Sequence, residues 1–249
     1  MTNSMINKFD VIERMVAQVA SGKCPSLIIS GPPGVGKTFT VVKSLRNYKN
    51  FIAPLLDLDV EYNICSGTMT PINLYKQLYS NRAKNSVLVL DDMDSVFSNE
   101  NSLNLLKAAL DLSGNKTIGY YSESHVLRRD HVPNEFVFEG SVIFLTNIDF
   151  KSAPKSLQPH FDALLSRSHY VDLGMRTPGE LMAWVMDTIK NTDILSDQDD
   201  HCQQDIMCYM IDNQQELNEI SLRMVKKLAS LISMGEGWQD IANVTCLKS

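Results

Sequence analysis

Residues 31–38 read Gly-Pro-Pro-Gly-Val-Gly-Lys-Thr. Gly31, Gly36, Lys37 and Thr38 fall at the defining places of a phosphate-binding loop. Pro32, Pro33, Gly34 and Val35 form the turn between them, and Phe39 follows. The chemistry is anion binding. Backbone N–H groups gathered at a helix start, with the helix dipole behind them, favour a phosphate. A lysine here reaches the β- and γ-phosphates, and the Thr38 hydroxyl is a ligand for Mg²⁺. The bland alternative is a Gly/Pro-rich turn with no ligand. A second constellation lies in Val87-Leu88-Val89-Leu90-Asp91-Asp92. Alone, an aspartate ending a strand is as readily a helix cap or a turn. Beside a phosphate loop, Asp91 is read as holding Mg²⁺ through water, and Asp92 stands where a base is expected. Asp94 is the other carboxylate that could contribute.

Such a site needs strand, glycine turn and helix in succession. The apolar run Ser26–Ser30 precedes the loop, and Phe39, Val41, Val42 and Leu45 follow at helical spacing. Ahead of them, Phe9, Ile12, Met15, Val16 and Val19 predict an amphipathic helix. An extended stretch is expected around Tyr62–Cys65. Thr70-Pro71 reads as an N-cap followed by proline in the first turn of a helix. The wholly apolar runs Ser86–Leu90 and Ser141–Thr146 read as buried parallel strands. A helix through Leu103, Leu106, Ala109 and Leu110 separates them from a turn at Gly114-Asn115. Residues 117–140 read as two β segments, Thr117–Tyr121 and Glu135–Phe138, around a basic loop at Arg128-Arg129. A helix from about Leu157 to Leu165 and a strand at His169–Leu173 complete the alternation, which implies an α/β, doubly wound parallel sheet.

After Gly174 the pattern changes. Thr177-Pro178-Gly179-Glu180 is a capping box with proline at the first helical position. Only helical periodicity follows, at Leu181–Ile189, Gln203–Ile211 and Leu217–Ile232, with a loop expected over Asn191–Asp200. Two domains are expected: an α/β core over 1–173 and a small all-α domain over 174–249.

The 249 residues are 44% hydrophobic, enough for a sizeable core, and the formal net charge of -6 gives no sign of strong non-specific attraction to nucleic acid. Five cysteines with no C-x-x-C pair support neither a disulfide framework nor a zinc site. His201 beside Cys202 and Cys208 reads as helix surface rather than a metal cluster. The N-terminus lacks the parts of a signal peptide. No apolar run approaches the roughly 18 residues of a membrane span. A soluble, cytoplasmic setting without membrane contact is expected.

Together the phosphate loop, the strand ending in Asp91-Asp92, the strand ending in Ile143-Phe144-Leu145-Thr146-Asn147 and the helical tail resemble an AAA+ ATPase. The resemblance implies ATP and Mg²⁺ as ligands. It implies that Asn147 is the sensor 1 residue, which positions the attacking water; a turn-forming asparagine is the alternative. It also implies an arginine finger that reaches a neighbouring subunit's site. Arg167, in Ser166-Arg167-Ser168, is placed as that residue would be and is similar to the Ser-Arg-Cys motif of clamp-loader ATPases. A surface salt bridge is the alternative, and Arg176 is a second candidate. The helical domain resembles the AAA+ lid, with Arg223 similar to sensor 2; a solvated helix arginine is the alternative. In wording the chain is similar to small AAA+ proteins of tailed bacteriophages.

Two departures matter. The AAA+ pattern ends this strand in Asp-Glu, and Asp92 is one methylene shorter. A reach about 1.5 Å short can cost on the order of 100-fold. Threading members also carry an aromatic-apolar-Gly pore loop, whereas Ser66-Gly67-Thr68-Met69-Thr70 has an exposed Met and no aromatic, which disfavours an unfoldase. Tyr120-Tyr121 to Arg128-Arg129 mixes residues suited to single-stranded nucleic acid, or is simply a sheet edge with a solvated loop. The resulting expectation is a homo-oligomeric AAA+ ATPase, as a hexameric ring or spiral. It would remodel a protein or nucleic-acid partner in phage replication or another DNA transaction. The rival is an ATP-gated assembly module with negligible hydrolysis.

Overall fold

The computed structural model describes residues 2–112, 114, 116–121, 125–150, 158–175 and 177–248; for residues 2–7 and 125 it describes the backbone only. Two compact units emerge. One comprises Asn7–Gly31 and Lys37–Leu173, the other Met1–Ile6, Pro32–Gly36 and Gly174–Ser249.

α1 (Thr2–Ala20), which lies in the first unit from Asn7 onward, leads to β1 (Ser26–Ser30). Ile12, Val16, Val19 and Ala20 recur at helical spacing and are fully buried. Next come α2 (Lys37–Asn47), a turn of π-helix (Tyr48–Ile52), a 3₁₀ turn (Ala53–Leu56) and β2 (Glu61–Ser66). α3 (Pro71–Ser80) starts as the sequence predicts: Thr70 caps the Asn73 N–H and Pro71 opens the helix. β3 (Ser86–Asp91), a 3₁₀ turn (Asp94–Ser98) and α4 (Glu100–Ala109) follow. After them come β4 (Thr117–Gly119), α5 (His125–Arg129), β5 (Glu135–Val137), β6 (Ser141–Thr146), α6 (Gln158–Leu165) and β7 (His169–Asp172).

Five strands form one sheet in the order β2-β3-β6-β1-β7. Every pairing is parallel. All six residues of β6 are buried, and all but the last of β3, which explains their unbroken apolar runs. β2 is an edge and is largely exposed. Behind the sheet, Phe97, Phe144, Phe150 and Phe161 pack with ring centroids 4.8–5.8 Å apart. They belong to a core shared with Leu74, Leu78, Leu103 and Leu106.

The stretch before β6 corrects one expectation. β4 and β5 are only three residues each, paired antiparallel, and Arg128 and Arg129 lie in the short helix α5 rather than in a loop. His131, at φ 55°, turns the chain out of that helix. Asp130 accepts from Lys76 at 2.5 Å and from Arg129 at 3.1 Å, and these bonds hold its carboxyl below the usual carboxylate range. Met69 corrects another: it is half-buried against the core rather than exposed.

The second unit holds four helices among the described residues: α7 (Pro178–Asn191), α8 (Asp200–Asp212), α9 (Leu222–Ile232) and α10 (Trp238–Cys246). The capping box at Thr177 and Glu180 is complete. The helix expected over 217–232 begins instead at Leu222. Ser221 caps it by accepting from the Met224 N–H, and Leu217 forms an antiparallel bridge with Leu247. α10 is an addition; Trp238, Ala242 and Cys246 recur on its buried face. A 3₁₀ turn at Asp193–Leu195 interrupts the expected loop. His201 pairs with Asp205 on the surface of α8, and no group of three metal-ligating side chains occurs among the described residues. Among them no helix is long and apolar enough to cross a membrane. Asn115, Leu157 and Arg176 lie outside the described residues.

Candidate nucleotide site

Because the sheet is parallel, β1, β3 and β6 end side by side, with β6 between the other two. The crevice outside such carboxyl ends is where open α/β sheets bind ligands. β1 runs into Gly31, where a Cβ would meet Leu173 Cβ at 2.9 Å. The first turn of α2 supplies Lys37 and Thr38; β3 ends in Asp91 and is followed by Asp92; β6 is followed by Asn147.

These side chains are bonded to one another. Lys37 is only 6% exposed, so its ammonium needs acceptors. It donates to the Gly31 carbonyl at 2.7 Å and to Asn147 Oδ1 at 2.8 Å. Asn147 turns its donor end the other way, giving Nδ2 to Asp92 Oδ1 at 3.0 Å. A side-chain amide suits this place because it accepts from a cation and donates to an anion at once. Thr38 Oγ1 donates to the Asp91 carboxylate, 2.9 and 3.0 Å from its two oxygens. A hydroxyl and a carboxylate in contact are hard oxygen donors, the set that Mg²⁺ takes together with phosphate oxygens and water.

The backbone of Asp92 is unusual. Its φ is 51°, in the left-handed region, and its N–H continues the ladder to the Leu145 carbonyl at 3.0 Å. Short polar residues tolerate this conformation better than long ones. The bend therefore gives a physical reason for aspartate where the AAA+ pattern carries glutamate. Asp94 is engaged elsewhere: its Oδ1 accepts from the buried Thr146 hydroxyl at 2.6 Å.

The apex of the phosphate loop belongs to the second unit. Gly34 and Gly36 have φ of 73° and 98°, backbone that glycine adopts at little cost. The Gly34 carbonyl accepts from the Leu222 N–H at 2.8 Å, and the Val35 carbonyl from Trp184 Nε1 at 3.2 Å. A Cβ on Gly34 would lie 2.6 Å from Ser221 Cβ and 3.7 Å from Arg223 Cγ. Arg223 itself is exposed in the first turn of α9. Pro32 is half-buried, Val35 buried and Pro33 exposed. Phe39 is 71% exposed, with Lys43 Nζ 5.9 Å from its ring centre.

Arg167 stands apart from these groups. It follows α6 and donates to the Ala163 carbonyl at 2.7 Å. Its neighbour Ser168 bonds Ser26, the first residue of β1, at 2.8 Å. The length of β1, about 13 Å at 3.3 Å per residue, separates that end of the sheet from the end that carries Lys37.

Comparison with known proteins follows the same lines. The model of the ATPase family associated with various cellular activities (AAA) matches residues 27–126. The uncharacterized 36.7 kDa protein of the nrdC-mobD intergenic region of Enterobacteria phage T4 is 39% identical over 247 residues, which is 95% of this chain and 73% of that protein. The chain belongs to the AAA+ ATPase family. Solved structures share the fold of this AAA+ protein at low identity. The Aeropyrum pernix ORC1 protein in complex with DNA has a TM-score of 0.55 at 14% identity, covering 92% of this chain and 59% of that one. Drosophila ORC bound to DNA has a TM-score of 0.52 at 15% identity, with 97% and 57% covered. Domain III of the Thermotoga maritima replication initiation protein DnaA has a TM-score of 0.50 at 11% identity, with 96% and 87% covered. The AAA+ chain thus spans about three-fifths of the ORC proteins' lengths.

Sequence reading passes over two residues at this site. Ser30 and Thr146 are register partners at the ends of β1 and β6. Their signal is a hydroxyl in the last place of each apolar strand.

Proposed function

We propose that this AAA+ protein binds ATP with Mg²⁺ and hydrolyses it at the interface between copies of itself. The observation that carries the reading is the chain Lys37–Asn147–Asp92, which links the phosphate-loop lysine to a carboxylate through one oriented amide. Lys37 and the loop Gly31–Phe39 bind the phosphates, and Thr38 with Asp91 would hold Mg²⁺, which neutralises phosphate charge when bound. Asp92 takes the proton of the attacking water, and Asn147 orients that water. Residues 1–173 serve as the core and residues 174–249 as the lid domain, with Arg223 as its sensor 2 residue. Arg167 acts in a neighbouring copy; its place at the far end of the sheet from Lys37 supports a role outside its own site. A ring or spiral of six such subunits in the host cytoplasm, remodelling a protein or single-stranded nucleic acid during phage replication or another DNA transaction, is the setting. The T4 relative and the DNA-bound ORC neighbours support that setting.

Complementation tests the shared site. Lys37→Ala and Arg167→Ala should each release phosphate at background rate. A mixture should regain turnover, because a subunit with an intact lysine then meets one with an intact arginine. An arginine finger contributes about 10³-fold or more. Full activity of Arg167→Ala alone refutes the shared site. A second reading, an ATP-gated assembly module, is favoured by Asp92 being short and already engaged by Asn147. It predicts ATP-dependent assembly with wild-type turnover no faster than that of Asp92→Asn.

A further inference from the structure

Ile148, the residue that follows Asn147, is held at both of its backbone polar groups. The Ile148 N–H donates to Thr146 Oγ1 at 3.0 Å, and the Ile148 carbonyl accepts from Ser30 Oγ at 2.8 Å. Thr146 and Ser30 are 0% and 3% exposed. The Thr146 hydroxyl in turn donates a hydrogen bond to Asp94 Oδ1 at 2.6 Å. One threonine hydroxyl therefore joins the turn after β6 to the turn after β3, and one serine hydroxyl joins it to the last residue of β1. Asn147 and Asp92 both sit in these turns, and both are exposed. An exposed asparagine past a strand end is ordinarily free to rotate. Here the backbone on either side of it is fixed.

We propose that Thr146, Asp94 and Ser30 form a clamp of positioning residues that aims Asn147 between Lys37 and Asp92. The proposal rests on the ATPase reading for its effect on turnover, but the clamp itself is a property of the fold. Asp94 then has a definite place. Its carboxylate is the acceptor of the clamp and not a substitute for Asp92 as base. The clamp's hydroxyls bond to no residue of the phosphate loop, and the one link to it, from the Gly31 N–H to the Thr146 carbonyl at 3.2 Å, is backbone that a side-chain change keeps, so loss of the hydroxyl should act on the chemical step and spare nucleotide binding. Displacement of a catalytic group by about 1 Å costs on the order of 100-fold.

The test uses the full chain with Thr146→Val, which keeps the shape and removes the hydroxyl, and Thr146→Ser, which keeps the hydroxyl. Three readouts are taken: phosphate release, affinity for a fluorescent ATP analogue, and amide hydrogen exchange at Ile148. Thr146→Val should lower kcat by about 30–100-fold, leave analogue affinity within about threefold, and speed exchange at Ile148 while the middle of β6 stays protected. Thr146→Ser should restore all three. Thr146→Val with Asp94→Ala should be no worse than either alone, because the two act as one unit. Unchanged kcat, or a fall in affinity matching the fall in kcat, overturns the clamp. If the wild type releases no phosphate, the ATPase reading fails by itself. The clamp is then decided by exchange alone, and unaltered exchange at Ile148 in Thr146→Val refutes it.

Discussion

Asp92→Asn separates chemistry from architecture at the proposed base. Asparagine is nearly the same shape, tolerates the φ of 51° at this position as aspartate does, and keeps an oxygen to accept from Asn147 Nδ2, now 3.0 Å from Asp92 Oδ1. The side chain is exposed, so the change in stability should stay within about 0.5 kcal/mol. For a chain of this size that is roughly 1–2 °C in Tm. Loss of a general base costs about 10²–10⁴-fold, at least about 2.7 kcal/mol on the barrier. The two effects differ by a factor of five or more, so a phosphate-release assay beside a thermal melt resolves them. Binding of an ATP analogue should be retained, because Lys37 and Thr38 keep their acceptors in Gly31 and Asp91. Wild-type turnover in Asp92→Asn refutes the base assignment. A large drop in Tm refutes the inference that this exposed carboxylate contributes little to stability.

Asp92→Glu should not stabilise the fold: the longer side chain loses the fit to Asn147 and the left-handed backbone costs roughly 1–2 kcal/mol, so Tm should fall by several degrees whatever happens to turnover. Gly34→Ala should be worse, since it combines a positive φ with a Cβ 2.6 Å from Ser221 Cβ. Unfolding by heat should come several degrees earlier, and an unchanged melt would show the loop apex to be yielding. Asp130→Asn probes pH dependence. The carboxyl of Asp130 is held below its usual value near 3.8, so its contribution is present above that pH and fades as pH falls through the lowered value. The variant and the wild type should differ in denaturation midpoint at neutral pH and converge in strong acid. A difference that persists there refutes the charge pairing with Lys76 and Arg129.

The sheet and the phosphate loop were legible because each rests on local pattern. Unbroken apolar runs at Ser86–Leu90 and Ser141–Thr146 are what strands buried on both faces require. Thr70-Pro71 and Thr177–Glu180 carry capping chemistry in their own side chains. What failed was decided by tertiary partners. The apparent periodicity of residues 217–232 runs through Ser221, which closes the helix start, and through Leu217, which pairs with Leu247 instead. α10 hides behind Gly235 and Gly237, both at positive φ, though Trp238, Ala242 and Cys246 keep the spacing of a buried face. Arg128 and Arg129 look like a loop because five residues are too few for a helical period to show. At the site, residue types single out Lys37, Thr38, Asp91, Asp92 and Asn147, which the structure brings together, but not that Asn147 bonds both Lys37 and Asp92 or that Asp94 is taken by Thr146. Those pairings depend on β6 lying between β1 and β3, an order that no stretch of sequence encodes by itself.

That order also bears on why one copy of the chain should be incomplete. A parallel sheet has two unlike ends. Gly31, Asp91 and Asn147 gather at the ends where strands finish, and Arg167 sits at the end where β1 and β7 begin. No side-chain motion spans the length of β1. On the proposed function, an arginine that must neutralise a transferring phosphoryl group has to come from another copy. On that proposal, a nucleotide site at one end of the sheet and Arg167 at the other favour head-to-tail assembly, since each copy both offers and lacks a part. Head-to-tail contacts close into rings or continue as spirals depending only on the rotation between neighbours. Concentration-dependent turnover per subunit follows directly. Turnover that stays constant on dilution well below the assembly range would mean that one copy is sufficient, and the role given to Arg167 would fall.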